Sequence, residues 1–175
     1  MNRTRFFVLT GMILTAVLSK FLPHPTNFAP IGAIALFGGA HFQNRWLGFG
    51  VPFVALLIGD LITGLHALIP FVYGRFALNV CLGWWSRRAV TVRRILGLSV
   101  FGSTIFFLVT NIGVWWLLGT FERTSAGLQQ CYAAGLPLFL NTLLGDLFYT
   151  AVLFGGVAAL EWRFPRILRL EANAL

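Results

Sequence analysis

Long apolar runs recur along the whole chain, and they constrain its fold more than any other feature of the sequence. A helix needs about 20 mostly apolar residues to cross a hydrocarbon layer of roughly 30 Å. Six stretches approach that length, at about 6–22, 29–44, 46–65, 67–86, 94–119 and 133–161. Backbone groups in lipid must pair within the chain, so each stretch is expected to be a helix. The sequence therefore predicts an all-α, polytopic membrane protein with six transmembrane helices in a single domain, residues 1–175.

The low charge content argues against a soluble domain. Charged residues make up 10% of the chain and hydrophobic residues 58%, whereas about a quarter of a soluble domain is charged. Residues 1–18 are similar to a signal sequence, but no A-x-A site follows and apolar runs continue to the end, so we expect a first span instead. The second stretch is the weakest span, because its 16 residues reach only about 24 Å as a helix.

The basic residues predict the orientation. With a cytoplasmic start, the inner segments hold Arg3, Arg5, Arg45, Arg87, Arg88, Arg93, Arg94, Arg163, Arg166 and Arg169. The outer segments hold Lys20 and Arg123. This asymmetry follows the positive-inside rule. We therefore expect a multi-pass protein of the cell inner (plasma) membrane with both termini in the cytoplasm. The net charge of +8 is explained by orientation, so no nucleic acid is expected as a partner.

Charged and amide side chains lie inside the predicted spans. Asp60, Arg75 and Asp146 each cost about 2.5–3.5 kcal/mol near a helix centre, so such residues normally face a cavity or one another. The functional interpretation is an outward-facing ligand pocket, with Arg75 paired to Asp60 or Asp146 or holding an anionic ligand group. The alternative is a buried polar network that only fixes helix packing. The candidate ligand residues in the spans are Asp60, Arg75, Asn111, Trp115, Asn141, Asp146 and Tyr149.

The stretch PHPTNFAPIGAIALFGGA, residues 23–40, begins with a segment from Pro23 to Pro30 that is predicted to form a stiff first outer loop above that pocket. Prolines fix φ and disfavour helix in the preceding residue. His24 and Phe28 are expected to contact a ligand from the loop. Asn27 is expected either to contact it too or to cap the second span.

Gly11, Thr15 and Ser19 form a small-residue stripe on the first span. It would be either a docking groove for another membrane protein or an internal packing surface. Small residues also allow the second span to pack closely against its neighbours.

Several kinds of chemistry have no motif in this chain. The sequence lacks G-x-x-x-x-G-K-[ST], H-E-x-x-H and G-x-S-x-G, and its histidines, His24, His41 and His66, are scattered. We therefore expect no catalytic residues, metal site or cofactor.

Three segments carry a resemblance. They are PHPTNFAPIGAIALFGGAHF from residue 23, TNIGVWW at 110–116 and GLQQCYAAGLPLFLNTLLGDLFYT at 127–150. They resemble a bacterial family of uncharacterised integral-membrane proteins grouped with transport proteins. That family is distantly similar to the substrate-binding S components of energy-coupling factor (ECF) transporters.

The resemblance implies an S-component-like bundle of six helices that binds a vitamin-like small molecule for uptake. It implies that the first outer loop gates the pocket, and that a transmembrane T component with ATPases drives import. It also implies that the stripe of Gly11, Thr15 and Ser19 is a docking surface.

Other functions remain open at this point. A ligand-free scaffold or assembly subunit would use the polar network for packing alone. A stand-alone ion-coupled carrier would use Asp60 or Asp146 as its proton or sodium site. An intramembrane enzyme with paired carboxylates is the least favoured class.

Overall fold

The computed structural model describes residues 3–64 and 67–165. Its helices are α1 (Arg3–Leu18), α2 (Ile31–His41), α3 (Arg45–Thr63), α4 (Ile69–Ser86), α5 (Val92–Leu117) and α6 (Ser125–Arg163), with a 3₁₀ turn at Ser19–Phe21 after α1. No strand occurs among the described residues. The all-helical class with six α-helices is therefore confirmed.

Four of these helices are long and apolar enough to span a membrane. They are α1 extended by the 3₁₀ turn, α3, α5 and α6. α4, which carries Arg75 and Asn79, is not among these four. The count of six crossings and the orientation of the termini stay predictions.

The second predicted span is shorter than the sequence analysis expected. It was predicted at 29–44, but α2 has 11 residues, which is about 16 Å of helix. Pro30 precedes its first residue, and proline is compatible with helix only in the first turn. Residues 22–30, here called the proline loop, take up the rest of that segment.

α2 lies at the centre of the bundle, and glycines allow its close approach to α4. Every residue from Gly32 to Gly39 is buried. A Cβ on Gly39 would lie 2.3 Å from the carbonyl oxygen of Val80, and one on Gly83 would lie 2.3 Å from that of Leu36. Side chains at these two positions would hold the two backbones apart, so α2 and α4 cross where both helices carry glycine.

α6 begins eight residues before the predicted span 133–161, at Ser125, and has 39 residues. The hydroxyl of Thr124 accepts a hydrogen bond of 3.1 Å from the backbone N–H of Gly127, which is a typical helix N-cap. Gln129 and Gln130 interrupt the apolar pattern without interrupting the helix, so hydropathy alone placed the start too late.

The predicted inner arginines gather at one end of the bundle, here called the arginine end. There Arg5 of α1 pairs with Glu161 of α6 at 2.5 Å. Arg87 donates hydrogen bonds to the carbonyl oxygens of Gly39, Phe42 and Gln43, which ties the end of α4 to the end of α2. Arg166 and Arg169 lie outside the described residues.

Candidate functional site

A buried ion pair joins α4 to α6. The guanidinium of Arg75 bonds to Oδ2 of Asp146, and the two residues are 7% and 2% exposed. The hydroxyl of Ser103 on α5 donates to the same oxygen. The guanidinium also lies 4.5 Å from the centre of the Phe106 ring, which favours the cation electrostatically. Three helices therefore supply one charge site.

The first turn of α2 closes the ion pair from a further direction. A Cβ on Gly32 would lie 2.6 Å from Oδ1 of Asp146 and 2.7 Å from Nη2 of Arg75. A side chain there would press against both charged groups. Gly32 is the second residue of α2, so the carboxylate also lies at the positive end of that helix's dipole.

The third predicted charge lies elsewhere. Asp60 on α3 is 5% exposed and its Oδ1 accepts from Nζ of Lys20 at 3.2 Å. Of the two partners predicted for Arg75, the structure pairs it with Asp146. The charged residues inside the spans thus form two separate ion pairs.

The proline loop is fastened to α6. Nδ2 of Asn141 donates to the carbonyl oxygen of Thr26 at 3.0 Å. The Phe28 ring lies 5.8 Å from Phe148 and 5.9 Å from Tyr149, measured between ring centres. A Cβ on Gly145 would lie 3.1 Å from the backbone nitrogen of Ala29. The loop therefore lies directly on the helix that carries Asp146.

Two predicted loop residues serve the loop's own conformation. The His24 ring nitrogens are each 2.9 Å from a backbone oxygen, those of Pro25 and Lys20. Asn27 has a φ of 66°, a left-handed conformation that asparagine tolerates better than most residues. The residue that caps α2 is Pro30, with no side-chain hydrogen bond. The expected capping role of Asn27 is therefore wrong.

Asn111 and Trp115 lie apart from the ion pair. Nδ2 of Asn111 donates to the carbonyl oxygen of Phe107 at 2.7 Å, and a Cβ on Gly135 of α6 would lie 2.4 Å from Oδ1 of Asn111. Nε1 of Trp115 donates to the carbonyl oxygen of Glu122 at 2.7 Å. These contacts fix α5 against α6 and the segment between them.

The small-residue stripe is divided between two environments. Gly11 and Thr15 are exposed, and the hydroxyl of Thr15 bonds to the carbonyl oxygen of Gly11 at 2.9 Å. Ser19 turns inward, where its hydroxyl lies 2.7 Å from that of Tyr149. Internal packing thus accounts for Ser19, whereas Gly11 and Thr15 lie on an open face of α1.

A cavity of about 920 Å³ opens at the arginine end, and sequence reasoning missed it. Its walls are mainly apolar side chains of α5 and α6, including Val92, Ile95, Leu96, Ala151, Phe154, Val157 and Ala158. Its polar lining comprises Arg5, His41, Gln43, Arg87, Thr91, Thr150 and Glu161. None of the predicted ligand residues lines it. The arginine cluster was the available signal of this cavity in the sequence. It was interpreted only as evidence for the orientation of the chain in the membrane.

The charged side chains around the cavity already bond to other groups of the protein. Arg5 pairs with Glu161, and Arg87 donates to three backbone carbonyls. Partial burial lowers the pKa of Arg87, although an arginine stays protonated in proteins. The His41 ring packs between Phe37 and Phe154, at 4.4 and 4.9 Å between ring centres. The cavity is therefore an apolar pocket with a polar, cation-bearing rim.

Three buried hydroxyl groups, on α5 and α6, lie near the cavity and the ion pair. Thr150 lines the cavity, and its hydroxyl donates to that of Ser99 at 3.3 Å. Ser103 lies one turn further along α5, where its hydroxyl bonds to the carbonyl oxygen of Ser99 at 3.0 Å and also to Asp146. All three hydroxyl residues are at most 3% exposed.

The comparison with known proteins identifies the family of the chain. A family model described as a family of unknown function, DUF6580, matches residues 1–167, so the chain belongs to that family. Searches of curated proteins and of solved structures found no match.

Proposed function

We propose that this family member is a membrane transport protein that binds a vitamin-sized, largely apolar molecule in the cavity at the arginine end. The observation that carries the proposal is the cavity itself. Its volume of about 920 Å³ falls within the range of about 300–1,000 Å³ typical of small-molecule sites. Apolar walls with a few polar groups are also typical of such sites, because the polar groups fix the orientation of the ligand.

Access from a single side supports transport rather than simple storage. The proline loop lies closed on α6 at one end of the bundle, while the cavity opens at the other. The positive-inside rule puts the arginine end in the cytoplasm, which makes this an inward-facing arrangement. A substrate that binds better to an outward-open state would shift the population toward it.

The predicted ligand residues would contact the substrate in that outward-open state. Release of the proline loop from Asn141 and Phe148 would uncover the region around Arg75, Asp146 and Tyr149. A substrate would then contact the predicted residues first and the cavity lining afterwards. The membrane lipid and the small molecule are the partners this scheme requires.

The distant similarity to ECF S components supports a scheme in which separate subunits bind the substrate and supply the energy. In that scheme a T component with ATPases supplies the energy, and this chain supplies binding in the inner membrane. The exposed face at Gly11 and Thr15 is the candidate docking surface on α1.

A ligand-free scaffold is the second candidate. It is favoured by the burial of the Arg75–Asp146 pair, against which α2 packs at Gly32 and α5 packs through Ser103 and Phe106. Such a site holds helices together without any ligand. The two functions differ in whether the cavity holds a specific molecule.

Small-molecule mass spectrometry of the purified protein tests the proposal. Gly155 lines the cavity, and a Cβ there would meet no atom within 4 Å, so Gly155→Phe adds a bulky ring at the cavity wall with no clash at its Cβ. We expect a compound enriched in wild-type protein, relative to another membrane protein purified the same way, to be lost from Gly155→Phe.

Gly74→Phe is the matched control. Gly74 is an exposed helical glycine outside the cavity lining, also with open space around its Cβ. This variant should retain the compound. Wild-type protein that contains only lipid, or equal retention by both variants, would contradict the proposed function and favour the scaffold.

A further inference from the structure

We propose that the groove between the first turns of α1 and α3 is a binding site for one phospholipid with a negatively charged headgroup. A second cavity of about 540 Å³ lies there, lined by Arg3, Phe6, Phe7, Gln43, Asn44 and Leu47. Its volume falls within the range of about 300–1,000 Å³ typical of small-molecule sites. It shares only Gln43 with the lining of the larger cavity, and the inference does not depend on the transport function.

The lining residues follow the order of the chemical groups in a phospholipid. α1 and α3 both begin at the arginine end. Phe6 and Phe7 lie one helical turn farther from that end than Arg3, on the same face of α1. On α3, Leu47 lies farther from it than the capping residue Asn44. A guanidinium and amide groups therefore form the rim of the second cavity, and apolar side chains form its deeper part.

Aromatic packing holds the apolar wall in place. The Phe6 ring lies 5.5 Å from Phe7 and 5.9 Å from Phe42 between ring centres, in an edge-to-face arrangement with both. Phe42 is fully buried, whereas Phe7 is 68% exposed. Transfer of such an apolar surface out of water is favourable. The wall is thus formed before a ligand arrives and has apolar surface left to be covered.

The arginines at the rim have no counter-charge within the described chain. Glu161, a carboxylate at this end of the bundle, is paired with Arg5. The other ion pairs of the described residues involve neither Arg3 nor Arg45, the first residue of α3. Both of these arginines are exposed. A guanidinium matches a phosphate through two parallel hydrogen bonds, so a lipid phosphate is a suitable partner.

A phospholipid satisfies both parts of the second cavity at once. Its phosphate pairs with the cations at the rim while an acyl chain covers Phe6, Phe7 and Leu47. A soluble phosphate would leave those side chains uncovered. A zwitterionic headgroup carries an ammonium group, which the arginines repel, so a headgroup with net negative charge is favoured. Basic residues at the ends of membrane spans attract anionic lipids for the same electrostatic reason.

Native mass spectrometry of delipidated protein in detergent tests the charged part of the site. Phosphatidylglycerol should bind at least tenfold more tightly than phosphatidylethanolamine with the same acyl chains. Arg3→Gln combined with Arg45→Gln should abolish this preference. Arg88→Gln combined with Arg93→Gln is the matched control, because these exposed arginines lie at the same end but outside the lining of the second cavity. The control should keep the preference.

Two further measurements test the apolar part of the site. Phe7→Ala should weaken the binding of phosphatidylglycerol at least fivefold. Leu18→Ala is its control, since Leu18 is also exposed but lies at the other end of α1, and it should bind as wild type does. Glycerophosphoglycerol, which is the headgroup without acyl chains, should not displace the lipid at a hundredfold excess.

Other outcomes overturn the inference. Equal binding of the two lipids would mean that the protein holds only an unspecific lipid annulus. Equal loss of preference in the two arginine double variants would reduce the effect to overall charge, and displacement by glycerophosphoglycerol would indicate a site for soluble anions. The compound expected to be lost from Gly155→Phe binds in the larger cavity, so failure of this inference is distinguishable from failure of the proposed function.

Discussion

At the scale of single residues, the carboxylate of Asp146 is held by three different kinds of group. They are the guanidinium of Arg75, the hydroxyl of Ser103 and the positive end of α2 at Gly32. Burial of a charge in the bilayer is costly, and each of these contacts offsets part of that cost. Such a site tolerates loss of the whole pair better than loss of one partner.

Removal of one charge should therefore be worse than removal of both. We expect Arg75→Met to lower the free energy of unfolding by about 3–5 kcal/mol, because it leaves the Asp146 charge uncompensated. The double variant Arg75→Met with Asp146→Leu should recover most of that loss. Unfolding in mixed micelles measures both. A single variant as stable as wild type would mean that the pair does not support the bundle.

Gly32 should be sensitive to added side-chain volume. A Cβ there overlaps both charged groups, so Gly32→Ala should cost about 1–3 kcal/mol of unfolding free energy, as overpacking typically does. Gly74→Ala is the control, since its Cβ meets open space and alanine favours helix by about 0.5–1 kcal/mol. Equal stability of the two variants would contradict the close packing of α2 on the ion pair.

At the scale of the helices, α2 organises the bundle although it is too short to cross a bilayer. Its contact with α4 depends on backbone meeting backbone at Gly39 and Gly83. A backbone atom cannot move aside as a flexible side chain can. This contact should therefore be the packing site most sensitive to added volume.

The crossing of α2 and α4 gives a prediction of its own. Gly83→Ala should reduce the melting temperature of the detergent-solubilised protein substantially, because its Cβ would lie 2.3 Å from the carbonyl oxygen of Leu36. Gly97→Ala on α5 changes the same residue type in open space and should melt at or above the wild-type temperature. If the two variants melt together, α2 and α4 do not approach as closely as described.

Sequence patterns predicted some elements better than others. α3 and α5 were close to their predicted ranges because hydropathy and helix length agree there. α2 and the start of α6 were misplaced, since a proline turn and an N-cap, rather than hydropathy, define those boundaries. The Arg75–Asp146 pair was predicted as one of two options, because charges in a membrane must find partners. The cavity could not be predicted, because its lining comes from residues far apart in the sequence, from Arg5 to Glu161, and no sequence motif records that.

At the scale of the whole molecule, the two ends of the bundle differ. The arginine end carries the cavity, and the other end carries the closed proline loop. The proposed inward-facing state requires these ends to lie on opposite sides of the membrane, with the arginine end in the cytoplasm.

Labelling in intact cells tests this orientation. Thr26 and Gln43 are both exposed, one in the proline loop and one at the cavity. An impermeant maleimide should label Thr26→Cys in intact cells and should label Gln43→Cys only after the membrane is opened. Labelling of both before opening, or of Gln43→Cys alone, would contradict the orientation.

The most direct measurement is an electron cryo-microscopy structure of the protein in nanodiscs formed from its host membrane. We expect density for one compact, non-protein molecule in the cavity at the arginine end, near Phe154 and Arg87, and its disappearance in Gly155→Phe. Continuous lipid acyl chains in that space, or a compact molecule bound elsewhere while the cavity holds none, would contradict the claim that this cavity is the substrate site.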